Sequence, residues 1–90
     1  MYRLEQTTQF KKDIKIARKR GLNMMLLDDV VTQLVENGKL APKYKPHLLK
    51  GSFSGFWECH IQPDWLLIWM QKDDIKLITL TRSGSHSDLF

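Results

Sequence analysis

The early part of the chain carries its apolar residues at a helical period. Phe10, Ile14 and Ala17 fall on one stripe, with Lys11, Lys12, Lys15, Arg18 and Lys19 around it, which predicts an amphipathic helix with a basic outer face. Thr7 or Thr8 offers its N-cap, and Arg20-Gly21 ends it, since glycine accepts the left-handed conformation that stops a helix. A second stripe of Met24, Leu27, Val30, Val31, Leu34 and Val35 follows, capped by Asn23 and closed by Asn37-Gly38. The connection is short, so the helices form an antiparallel hairpin. Residues 2–6 read as a short strand ahead of them.

The segment GKLAPKYKP, residues 38–46, holds two prolines and three lysines and reads as an extended exposed loop. Beyond it the period changes to two. Trp57, Cys59 and Ile61 share one side of a strand, with Phe56, Glu58 and His60 on the other. Gln62-Pro63-Asp64 makes a turn. Trp65 to Met70 is an apolar run suited to a central strand. Lys72-Asp73-Asp74 turns again, and Ile75 to Thr81 forms a third strand. The tail RSGSHSDLF is polar until its last two residues.

Helices grouped ahead of a strand meander give an α+β class: an N-terminal two-helix hairpin packed on one face of an antiparallel sheet. The other face is left open for a site. Ninety residues bound this to a single domain, 1–90.

Composition narrows the function classes. An apolar share of 42% with 27% charged residues is globular, which argues against disorder. No apolar run approaches the roughly 18 residues of a membrane span, and MYRLEQTTQF has no apolar signal core. The single cysteine, Cys59, allows neither an internal disulfide nor a cysteine-based zinc site, and points to the reducing cytosol. A net charge of +4 favours nucleic acid or an acidic protein as partner.

Three histidines, His47, His60 and His86, each sit where an element begins or ends. Joined by Asp64, Arg82 and Lys50, they form a constellation if the meander brings those ends together. An imidazole titrates near neutrality, so one copy can accept a proton while another donates it. Arginine grips phosphate oxygens by two prongs, and Trp65 offers a ring on which a base can stack. That set suits metal-free RNA cleavage: a base takes the 2′-hydroxyl proton, the 2′ oxygen attacks phosphorus, and an acid protonates the leaving 5′ oxygen. Plainer readings stand beside it: surface histidines, a core Trp65, a solvated Arg82. The histidine spacings match no short metal-ligand motif.

The stretch HLLKGSFSGFWECHIQPDWLLIW, residues 47–69, and the ending TRSGSHSDLF, residues 81–90, resemble the YafQ branch of the RelE/ParE toxin superfamily, and the likeness runs across the whole chain. It implies a RelE-like, microbial-ribonuclease-like fold and a bacterial type II toxin. Such toxins are endoribonucleases that cut mRNA, typically in the ribosomal A site, with no metal or other cofactor. A cognate antitoxin silences each one, and operator DNA is contacted only through the antitoxin complex.

By position, the resemblance implies His86 as general acid and His60 or His47 as base. Asp64 is a further base or an orienting group, and Arg82 serves the scissile phosphate. Trp65 and Phe90 are implied to touch RNA or to hold the tail. Trp57 stands where many relatives carry Arg, which implies one charge fewer near the site. The rivals are a non-catalytic ParE-like toxin acting on gyrase, an inactive antitoxin-binding module and a metal-dependent nuclease.

Overall fold

A computed structural model describes residues 1–90. The first helix, α1 (Thr8–Lys19), starts at Thr7, whose hydroxyl accepts from the Phe10 amide at 3.0 Å and donates to the Thr81 carbonyl at 2.8 Å. One side chain thus satisfies an orphan helix donor and ties the helix start to the sheet. The second, α2 (Met24–Asn37), is capped by Asn23 and stops at Gly38 with φ of 66°. The Tyr2 ring lies where a Cβ on Gly38 would stand, at 2.6 Å, so only glycine suits this corner.

Five strands form one sheet in the order β1-β5-β4-β3-β2. They are β1 (Arg3–Gln6), β2 (His47–Leu48), β3 (Trp57–Gln62), β4 (Trp65–Lys72) and β5 (Leu77–Gly84). The α+β class and the meander β3-β4-β5 are as the sequence pattern indicates. The sheet is mixed, because β1 lies parallel to β5 with Gln6 opposite Leu80. The third meander strand is displaced from its expected span. Ile75 and Lys76 belong to the turn, where Lys76 takes a φ of 53°, and the strand runs on to Gly84. The tail closes as a short helix, α3 (His86–Leu89), with a reciprocal capping box between Ser85 and Asp88.

Residues Trp65 to Trp69 are all buried, because β4 is covered on both faces. Trp65, Leu67 and Trp69 pack with Phe10, Val30, Leu34 and Ile78 under the helices. Leu66 and Ile68 pack with Leu89 of α3 and with Leu49, Phe53 and Phe56. Burying Leu89 contributes on the order of 2 kcal/mol. The exposed Arg20–Asp88 pair, at 2.6 Å, is screened by solvent and adds little. The apolar seat, more than the ion pair, therefore holds α3 against the second face. Cys59 is part of the helix-side core, where burial pushes its thiol up to about 12 and leaves it unreactive. No helix is long and apolar enough to cross a membrane.

Candidate active site

Strand pairing lays a grid of polar residues on the face away from α1 and α2. His47 lies opposite Glu58, Glu58 opposite Ile68, and Ile68 opposite Arg82. The next row is His60, Leu66 and Gly84. Directly opposed residues share a face, so three of the expected site residues, His47, His60 and Arg82, start from the same side of the sheet as Glu58. From β2 to β5 is three strand spacings, roughly 14 Å. Only long side chains or an added element can close that span.

The added element is α3, which brings the third histidine. The rings of His60 and His86 lie 5.7 Å apart, centre to centre, tilted by 57°. Asp64, in the β3–β4 turn, takes the His86 backbone N–H at 2.9 Å and its ring Nδ1 at 2.7 Å. The backbone bond, then the ring bond, hold the Asp64 carboxyl below the usual carboxylate range. A carboxylate only accepts, so Nδ1 of His86 carries a hydrogen. Its Nε2 is then the nitrogen open to exchange a proton with a substrate.

His47 is held in the same sense. Its Nδ1 donates to the Lys45 carbonyl at 2.9 Å, which leaves Nε2 as the ring nitrogen without that hydrogen. That Nε2 lies 3.4 Å from Glu58 Oε1, and Nε2 of His60 lies 3.8 Å from the same oxygen. Both distances exceed a charge-assisted hydrogen bond of about 2.7–2.9 Å. The Glu58 side chain is only 7% exposed. A carboxylate buried to that degree is costly unless a cation stands near, and here the groups able to become cationic are two imidazoles.

Arg82 is anchored from behind. Its Nε donates to Asp13 at 2.9 Å and its Nη2 at 3.3 Å. Asp13 also accepts from the Ser83 amide at 3.0 Å and from Gln9 at 3.1 Å. Pairing with β1 ends at Leu80, so the edge of β5 is open beyond it and Asp13 of α1 reaches this edge. The guanidinium is held there at 29% exposure, with N–H donors left over for an anion.

A family model described as the bacterial toxin of type II toxin–antitoxin systems, YafQ, matches residues 2–90. The chain belongs to the YafQ toxin family. The mRNA interferase toxin YafQ of Escherichia coli K12 is 40% identical over 88 residues, spanning 97% of this chain and 94% of that protein. YafQ in the E. coli DinJ–YafQ complex superposes with a TM-score of 0.90 at 38% identity, covering 100% of this chain and 99% of that one. A metal-bound toxin from Helicobacter pylori superposes equally well at 46% identity, with 100% of both chains covered. In this YafQ-family chain no three His, Cys, Asp or Glu side chains are grouped so as to hold a metal ion.

The fold of the YafQ-family chain thus gathers His47, His60, His86 and Asp64, with Arg82 at the edge of the group. Lys50 stands exposed before the Gly51–Phe53 turn, bonded to none of them. Phe90 is 61% exposed and meets Phe53 edge-on at 5.5 Å. Trp65 requires a correction. Its ring is 2% exposed and its Nε1–H donates to Ser83 Oγ, which in turn donates to the Leu66 carbonyl. With no free face it stacks no base, and it fastens β4 to β5 beneath the site. Trp57 is stacked on Trp69 and packs against the helix-side core. Position 57 therefore lies on the face opposite the histidines, and the expectation that Trp57 changes the charge near the site does not hold.

Two carboxylates, Glu58 and Asp13, were missing from the expected set. The alternation of Phe56, Glu58 and His60 already put Glu58 beside a candidate histidine. Asp13 interrupts the apolar stripe between Phe10 and Ile14, and that intrusion was its only signal.

Proposed function

We propose that this toxin is an endoribonuclease that cleaves mRNA by attack of a ribose 2′-hydroxyl on the adjacent phosphorus. The observation that carries the reading is the pairing of His60 and His86 rings at 5.7 Å, one beside buried Glu58 and the other bonded to Asp64. His60 serves as base through Nε2, with His47 the second candidate. Glu58 favours the imidazolium that proton abstraction creates. His86, its Nδ1 occupied by Asp64, protonates the leaving 5′ oxygen from Nε2. The attacking and leaving oxygens flank one phosphorus, so two adjacent imidazoles can serve both ends of the step. Arg82, fixed by Asp13, meets the charge that builds on the phosphoryl oxygens. The residues named supply both proton transfers, and each positioned group contributes roughly 10²–10⁴ in rate.

The relatives' names extend the reading. The activity is that of an mRNA interferase, and a cognate antitoxin binds this toxin as DinJ accompanies YafQ. Action on the ribosome and silencing by the antitoxin are parts of the same proposal. Contact with operator DNA is left to the antitoxin. The exposed lysines of α1 give the basic surface that ribosomal RNA would attract. A gyrase poison of the ParE type would have no use for the imidazole pair.

The test is induced expression of His86→Ala in bacteria. The ring stands on an exposed helix, with its side chain 55% accessible, so the variant should fold and bind the antitoxin yet leave growth unaffected. Growth arrest equal to that of the unaltered toxin would remove the acid assignment.

A further inference from the structure

A cavity of about 410 Å³ opens beside His60, between the loop that holds Lys43, Tyr44 and Lys45 and the β3–β4 turn at Pro63. Its volume is in the range of small-ligand pockets, about 300–1,000 Å³. Both walls are tied to the histidines proposed as bases. The Lys45 carbonyl accepts from His47 Nδ1 at 2.9 Å, and the Pro63 carbonyl faces His60 Nδ1 at 3.4 Å. Lys45 takes a left-handed φ of 51° to make the first of these contacts, a conformation uncommon for a residue with a side chain. A second cavity, of about 380 Å³, lies between α1 and the end of β5 and takes in Arg20, Asp64, Arg82 and Asp88.

We infer that the cavity beside His60 is the subsite for the nucleotide whose 2′-hydroxyl attacks, and that it sets the enzyme's preference for the base upstream of the cut. The inference rests on the reaction proposed above. In that reaction the base touches the nucleotide that precedes the scissile phosphorus, and the acid touches the one that follows. A recess on the base side therefore receives the upstream nucleotide. Its chemistry suits one. The half-buried Tyr44 ring, Pro63 and the core residue Ile61 give an apolar wall for the flat face of a base. Lys43 and Lys45 give two exposed ammonium groups for the phosphate on its 5′ side. The Lys43 ammonium rests 5.1 Å over the Tyr44 ring, a weak surface contact that a phosphate can take over.

The test uses a short synthetic mRNA on bacterial ribosomes, intact or with one abasic site directly upstream or directly downstream of the cut. The wild-type toxin should lose about tenfold or more in kcat/KM on the upstream-abasic RNA, and clearly less on the downstream one. Tyr44→Leu should slow cleavage of intact RNA and abolish the difference between intact and upstream-abasic RNA. The exposed pair Lys43→Gln/Lys45→Gln, which leaves the fold alone, should raise KM and flatten its salt dependence by roughly one phosphate contact or more. Upstream-abasic RNA cleaved as fast as intact RNA would overturn the subsite, as would an equal loss on both from Tyr44→Leu. Wild-type toxin inert on every RNA, or His86→Ala cleaving like wild type, would instead overturn the reaction and the subsite with it.

Discussion

Asp64 accepts two hydrogen bonds from one residue, the backbone N–H and the ring Nδ1 of His86, at 2.9 and 2.7 Å. A single carboxylate in the β3–β4 turn thus fixes both where α3 begins and how its imidazole points. Asp64→Asn keeps an oxygen for one bond but loses the charge. Cleavage should fall by roughly 10²-fold, the lower end of what a positioned proton donor contributes, with KM little changed. Because the Asp64 carboxyl is held below its usual range by His86, its contribution to seating the tail is fully present above about pH 4, the ordinary aspartate value. It is lost only as pH falls through the lower folded-state value. Arg20, then the Ser85 amide, hold Asp88 lower still. Amide resonances of α3 should therefore show no loss of either carboxylate's contribution between pH 5 and 8. A detachment below pH 4 should shrink in Asp64→Asn. A variant that cleaves at the wild-type rate would show that the turn carboxylate does not orient the acid.

Glu58 is placed against stability and in favour of activity. A side chain 7% exposed, with imidazoles at 3.4 and 3.8 Å in place of a full-time cation, costs desolvation that hydrophobic or neutral replacements avoid. Unit charges about 4 Å apart interact by about 4 kcal/mol at an effective dielectric of 20, so the carboxylate contributes at most about three decades of rate. Glu58→Gln should lower kcat within that limit and leave thermal stability unchanged or higher, with Asp restoring part of the rate. In a His47→Ala/His60→Ala background the same substitution should have little further effect, since the groups it acts through are gone. A full additive loss there would mean that Glu58 acts on something other than the imidazoles.

Much of this was legible in the chain and some was not, for identifiable reasons. The helices were readable because Phe10, Ile14 and Ala17, then Leu27, Val30 and Leu34, keep a 3.6-residue period with real caps at Thr7 and Asn23. The alternation from Trp57 to Ile61 put Glu58 and His60 together on one side of the strand, and the packing of Trp57, Cys59 and Ile61 under the helices shows it to be the side facing away from them. The parallel pairing of β1 with β5 was not readable, because a four-residue exposed strand has no buried face to betray its neighbour. α3 was readable but missed: Ser85 and Asp88 stand at capping-box spacing ahead of Leu89. Trp65 was ambiguous in sequence, since a ring at a strand mouth serves a core or a ligand equally well. Its indole bond to Ser83, eighteen residues on, decided the matter.

The proton-transfer scheme needs no metal. RNA cleavage by purified toxin should persist at its full rate when EDTA is added and the ribosomes, where used, retain their magnesium in a separately buffered control. Loss of cleavage that zinc or copper restores, at concentrations matching the protein, would replace the imidazole pair with a metal-assisted reaction.

Asp13 is the test of how Arg82 is held. The carboxylate is 6% exposed and takes four donors: Arg82 Nε and Nη2, the Ser83 amide and Gln9 Nε2. Removing it leaves a half-buried guanidinium without its counter-charge and a buried backbone N–H without an acceptor. Breaking a buried pair from one side costs about 3–5 kcal/mol, and Arg82, at 29% exposure, recovers some of that through water. Asp13→Ala should therefore destabilise the fold by about 3 kcal/mol, which for a domain of this size lowers Tm by more than about 10 °C. Arg82→Ala removes the cation instead and leaves Asp13 with the Ser83 amide and Gln9, so it should cost less stability but more activity. If the two substitutions lowered Tm equally and left cleavage intact, Arg82 would be a structural partner of α1 with no part in meeting the phosphate.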